Sequence, residues 1–183
     1  MQVRGSVIKS IDSFVSDVHG SKYEDWKKNL SEASSLLLST VSSANWYPVE
    51  PGVIAPTKVL CDMFYQDKKQ GAWESGRYSA KMGLTGIYKV FVLVSSPAFL
   101  LKRASRVIAT FYDPTDLTVA HSTDKSMIIQ FTQLPIKNEF IEYRIAGWME
   151  MALEICGCKN LSVQISKSMA RGHDMFETTI NWD

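Results

Sequence analysis

Residues 147–166 read GWMEMALEICGCKNLSVQIS, and the change of period inside this stretch decides the fold. Upstream, from Asn138, the apolar residues Ile141, Ile145, Trp148, Ala152 and Ile155 recur every three to four positions and form one stripe of an amphipathic helix. Downstream, Leu161, Val163 and Ile165 alternate with other residues, the period of a strand with one buried face. Gly157 stands between Cys156 and Cys158 at the joint, where a helix exit takes a residue able to adopt a left-handed backbone. The two cysteines therefore mark a helix-to-strand turn. Structural zinc needs a wider spacing and a second ligand pair, and redox dithiols use C-x-x-C. Cys61 is the only other thiol. The helical stripe predicts that Trp148 packs against the sheet near Phe131 or Ile165, and that it matters more to the core than Trp26, which lies in a short amino-terminal helix.

Working outward, Phe176, Thr178, Ile180 and Trp182 form a further strand after the turn-forming ARGHD. Before the long helix, Leu117, Val119 and His121 alternate along one run, and Met127, Ile129 and Phe131 along another, with STDK between them. Together they read as a hairpin. Upstream of Asp113-Pro114 the period is helical throughout. Helices are expected through Ile8–Val18 with Gly20 as a stop, near Tyr23–Leu30, over Ser31–Val41, over Val53–Tyr65, over Gly71–Gly86, and from Pro97 to Phe111. NWYPVEPG (45–52) reads as turn. The expected class is α+β: a helical amino-terminal half, then β-β-α-β-β, with an antiparallel sheet packed against helices.

With 45% hydrophobic and 21% charged residues over 183 positions, the chain can bury a core of its own. There are no repeats and no linker, so residues 1–183 are expected to form a single domain. A net charge of +1 gives no electrostatic footprint for nucleic acid. An odd number of cysteines and an opening without a signal-peptide pattern favour a reducing, cytoplasmic setting. The most apolar stretch, Ile87–Leu101, is interrupted by Lys89, Ser95, Ser96 and Pro97, so no transmembrane segment is expected.

No complete catalytic constellation or metal set is present: G-x-S-x-G, a phosphate loop and H-E-x-x-H are all missing. His19, His121 and His173 stand apart, each in or near a turn or hairpin. Glu139, Glu142, Glu150 and Glu154 read as the polar face of the long helix, and Lys102, Arg103 and Arg106 as a solvated face. Arg77 and Arg144 are different. Each stands among apolar neighbours, in ESGRYSAKMG and FIEYRIAGW, where a buried arginine needs a carboxylate or a ligand as partner. A rim position or an internal ion pair is the ordinary reading for both, and both are candidates for a ligand pocket.

The order of elements resembles the superfamily that joins heme-nitric-oxide/oxygen-binding (H-NOX) domains, vinyl-reductase-type ligand domains and TRAPP vesicle-tethering subunits. The likeness rests on VRGSVIKSIDSFVSDVHGSKYEDWKKNL (3–30), on the long helix with Gly147, and on CGCKNLSVQISKSMARGHDMFETTINW (156–182). Within the group the chain is most similar to bacterial heme-domain relatives that lack heme ligands. Heme-binding members carry a proximal histidine on a helix before the sheet and a Tyr-x-Ser-x-Arg motif. Residues 88–112 here contain no histidine, and FTQLPIKNEFIEYR (131–144) contains no such motif. The resemblance therefore implies the fold without heme, and no cofactor is expected.

The reading that follows is a non-catalytic small-molecule-binding or sensing domain. An apolar or amphipathic ligand would lie between the Ile87–Phe111 helices and the sheet, lined by Tyr88, Phe91 and Phe99 and anchored by Arg77 or Arg144. The alternatives are an enzyme with a loop-assembled site around His121 or His173 with Asp174, and a protein-interaction module whose core is filled by side chains. A protein partner or a second copy of the chain remains open as a binding partner.

Overall fold

A computed structural model describes residues 1–84 and 104–183. Strand β1 (Gln2–Arg4) leads into α1 (Gly5–Val18), followed by α2 (Tyr23–Lys28), α3 (Glu32–Thr40) and β2 (Trp46–Pro48). A π-helical turn, Glu50–Ile54, runs directly into α4 (Ala55–Phe64), and α5 (Lys68–Leu84) follows. After the undescribed stretch come α6 (Ala104–Ile108), β3 (Tyr112–Asp113), β4 (Asp116–Ser122), β5 (Ser126–Gln133), α7 (Glu139–Ile155), β6 (Ser162–Lys167) and β7 (Phe176–Asn181).

The architecture is the expected α+β one. Strands β4 to β7 form an antiparallel sheet in the order β4-β5-β7-β6. Period-two alternation brings the inward residues into register: Met127 lies opposite Ile180, Phe131 opposite Phe176, and Val163 opposite Ile180 from the other side. A bulge between Val119 and His121 breaks the alternation of β4, and His121 is exposed.

A second sheet was not legible. Strand β1 lies between β2 and β3, with Val3 opposite both Tyr47 and Tyr112. The prolines of NWYPVEPG suggest turns alone, yet Trp46–Pro48 pairs as an edge strand, a position that tolerates proline.

Helix α7 begins where its sequence predicts, because the Asn138 side chain accepts a hydrogen bond from the Ile141 N–H and caps the first turn. It ends at Cys156, after which Gly157 takes φ +90° and Asn160 φ +48°. This is the left-handed exit expected of the joint. All three cysteines are free, and no cluster of potential metal ligands occurs among the described residues.

The helical layer is built on the crossing of α5 and α7. A Cβ placed on Gly76 would lie 2.1 Å from the Arg144 carbonyl oxygen, and one on Gly147 would lie 2.2 Å from the Trp73 carbonyl oxygen. Each helix thus presents its glycine to the other's backbone. Overpacking a core typically costs about 1–3 kcal/mol. Here the obstruction is main chain on both sides, so Gly147→Ala should lower the urea midpoint at least as much as a typical overpacking change. A wild-type midpoint for Gly147→Ala would show that the helices can part.

The expected place of Trp148 is corrected. It is half-buried, meets Phe111 with ring centroids 5.9 Å apart, and packs near Ala80 and Leu84 of α5. Met149 faces the sheet instead, its sulfur accepting a hydrogen bond from Thr178 Oγ1. The first half of the stripe is buried as read, through Ile141 and Ile145, but beyond it Met149 and Leu153 are buried while Trp148, Ala152 and Ile155 are half-buried, and Glu142 and Arg144 widen the inward face. Trp26 is 0% exposed and donates its indole N–H to the Pro56 carbonyl. Trp26→Ala should therefore cost about 3–5 kcal/mol, the range for a fully buried aromatic, and Trp148→Ala distinctly less. Urea melts of the two variants give the order.

Candidate functional site

Two polar groupings cross the α5–α7 contact. At its outer end Arg77 donates to Glu150 and forms a two-pronged pair with Glu154, at 2.7 Å and 3.0 Å. Glu150 also accepts from the Trp73 indole N–H at 2.7 Å. Hydrogen bonding to Glu154, and then to Glu150, raises the Arg77 pKa against the opposing effect of burial. Glu150 and Glu154 are therefore not a free polar face but the anchor for an arginine that arrives from α5.

At the inner end stands Arg144, 2% exposed. It donates to Ser75 Oγ on α5 and lies close enough to the Tyr112 phenol for the two to act on each other's charge, and its Nε has no hydrogen-bond partner among the described residues. Burial lowers its pKa, with Tyr112 and Cys61 pulling the other way. Burial likewise raises the Tyr112 pKa, partly offset by Arg144, and pushes the Cys61 thiol up to about 12. Arginine stays charged under such conditions. Among the described residues no carboxylate is one of the groups that act on it.

A small cleft opens at this crossing, lined by Gly76, Ser79, Phe111, Tyr112, Arg144 and Trp148 among others. Its volume is about 10 Å³, about what one water molecule needs. The lining holds no histidine or cysteine. Of the five candidate ligand residues, Arg144 lines the cleft, Arg77 is taken up by the two glutamates, and Tyr88, Phe91 and Phe99 lie outside the described residues.

Sequence reading missed Glu142. Placed on the polar face by its spacing, it is 0% exposed and accepts hydrogen bonds from Ser168 Oγ and from the Met169 and Ala170 N–H groups, at 2.8 Å and 3.1 Å for the latter two. It holds the β6–β7 connection against α7. Its signal was present only as the serine and small residues of SKSMARG, which could not be paired with a helix 26 positions away by local pattern.

The histidines fall in separate places. His121 and His173 are exposed, on β4 and on the β6–β7 connection, and neither is hydrogen-bonded to a carboxylate among the described residues. His19 is not a surface residue. It stacks on Phe64 with centroids 4.2 Å apart and meets Tyr65 and Phe14 edge-on. Burial lowers its pKa from the ordinary 6.5. The unfolded chain takes up a proton at this residue that the folded chain resists, so stability present above about pH 6.5 is lost as the pH falls below it. His19→Gln should flatten the decline of the urea midpoint between about pH 7 and pH 5; a decline as steep as that of wild type would remove His19 as its source.

No family model matches the chain, and neither does any curated protein sequence. Solved structures do. The fold is similar over 98% of the chain to an H-NOX protein from S. oneidensis in its Fe(II)NO ligation state, with a TM-score of 0.76, 11% identity and 99% of that chain covered. It is similar over the same share to the Fe(II) unliganded H-NOX protein from K. algicida, with a TM-score of 0.73, 13% identity and 96% of that chain covered. The architecture is thus of the H-NOX kind, as the order of elements implied. Among the described residues no helix is long and apolar enough to cross a membrane.

Proposed function

We propose that residues 1–183 act as one small-molecule-binding or sensing domain of the H-NOX fold that works without heme, in a bacterial cytoplasm. The observation that carries this reading is the composition of the cleft between α5 and α7. A heme needs an axial ligand, usually histidine, cysteine, methionine or tyrosine. The described lining offers only Tyr112 of these, a buried phenol next to the Arg144 cation. Residues 85–103 contain no histidine, cysteine or methionine, and Tyr88 is their one tyrosine. Bulky side chains, Arg144 and Trp148, take up the space beside the crossing. The lining is mostly apolar and aromatic, with one cation and the Ser79 hydroxyl, which suits an apolar or amphipathic ligand better than a porphyrin.

The narrowness of the cleft supports a second reading, a protein-interaction module whose core is filled by side chains. Leu36 is largely exposed on α3 and would be available to a protein partner or a second copy of the chain.

Hemin titration of the purified protein tests the heme-free assignment. No Soret band should survive gel filtration. A sharp band that persists, and is lost when one histidine is replaced, would overturn it. Native mass spectrometry separates the two readings: a retained small molecule supports the ligand-binding domain, and a bare chain with a discrete oligomeric state supports the interaction module.

A further inference from the structure

Helix α7 carries two buried charges two residues apart, and the fold treats them differently. Glu142 receives three hydrogen bonds from the β6–β7 connection. Arg144, on another side of the same helix, donates among the described residues only to the Ser75 hydroxyl, with the Tyr112 phenol nearby, and its Nε finds no partner there. The chain is able to build a complete partner set for a buried ion, and at Arg144 it has left the set incomplete. The stretch 85–103 contains no Asp or Glu, so it brings no carboxylate to this site. A cation out of water without an anion is costly unless one arrives from outside.

We propose that Arg144, flanked by the hydroxyls of Ser75 and Tyr112, is the headgroup site for a monocarboxylate whose apolar body lies against Ile108, Phe111 and Trp148. The inference rests on the ligand-binding reading above and names the class of ligand. Three features select that class. The guanidinium edge that includes Nε is a planar fork matched to a carboxylate. A single buried cation balances one negative charge, and a dianion such as phosphate would leave an excess in the interior. Apart from Ser79 and Tyr112, the other side chains of the lining are hydrocarbon and aromatic, which a free inorganic ion would not use. Phe111 and Trp148, both half-buried, are the rings whose displacement would enlarge the cleft, so Trp148 reports directly on occupancy.

The experiment measures thermal shift and tryptophan emission with sodium acetate, butyrate and hexanoate. The matched neutral probes are butyramide and 1-hexanol, and the inorganic controls are chloride and sulfate. Wild type should be stabilised by the acids in order of chain length, and by butyrate in preference to butyramide. Arg144→Met should weaken acid binding by at least about tenfold, roughly 1.4 kcal/mol, while melting no lower than wild type without ligand, because an unpaired buried charge has been removed. Ser75→Ala keeps the charge and should weaken the acids less than Arg144→Met. Trp148→Phe should remove the emission change and retain the thermal shift.

Equal stabilisation by acids and neutral probes, unchanged in Arg144→Met, would overturn the headgroup assignment and leave the ligand-binding domain standing. Stabilisation by chloride or sulfate equal to that by hexanoate would overturn the ligand class. No effect of any probe on wild type, together with an Arg144→Met variant that unfolds, would overturn the site and assign Arg144 to the core alone. In that case a small molecule retained in native mass spectra still decides the domain reading separately.

Discussion

The rest of the molecule is arranged around the reciprocal approach of Gly76 and Gly147. Two helices of 17 residues each, α5 and α7, meet with a backbone carbonyl of one pressed against the missing side chain of the other. Glycine in a helix interior is unfavourable by about 0.5–1 kcal/mol relative to alanine, so two at one crossing reflect a requirement for closeness. That closeness sets what can span the contact. Arg77 reaches Glu150 and Glu154, and Arg144 reaches Ser75. On one flank α5 also packs against α1 and α4, and on its sheet side α7 carries Met149 toward β7.

Local pattern made much of this legible. The stretch from Asn138 to Ile165 shows a cap, a helical stripe, a left-handed exit and a strand in order, and each is found. Strand alternation gave the β4–β5 hairpin and the β6–β7 pair, because one face of each strand is buried and period two records it. The small sheet of β1, β2 and β3 escaped because strands of two or three residues are too short to display a period, and their pairing joins residues some 44 and 109 positions apart.

The side of the helix that each residue faces was less legible. Trp148 was placed against the sheet on the assumption that the most apolar stripe faces the core. Helix α7 is enclosed on more than one side, so Glu142, Arg144 and Met149 are all buried and the stripe does not single out one direction. For Arg77, sequence gave the right kind of partner without its identity; the glutamates four apart on α7 become intelligible only once the glycine crossing brings them within reach. For Arg144, apolar neighbours in sequence correctly signalled burial, and only the structure shows how few acceptors it has.

Strand β1 has a consequence for synthesis of the chain. Val3 pairs with Tyr47 on one side and Tyr112 on the other, and the Arg4 N–H donates to the Phe111 carbonyl. On a ribosome the first of these partners emerges 44 residues after Val3 and the second only 109 residues after it. Strand β1 must therefore stand with one edge unpaired while the residues from Tyr47 to Tyr112 are made. Contacts this distant in sequence are slow to close, and an unpaired edge exposed on a nascent chain is open to pairing with the wrong strand. Arg4 is placed to limit that exposure, with its guanidinium 3.9 Å over the Trp46 ring and hydrogen-bonded to the Ala44 carbonyl. It can hold the first hairpin together while its other neighbour is still to come.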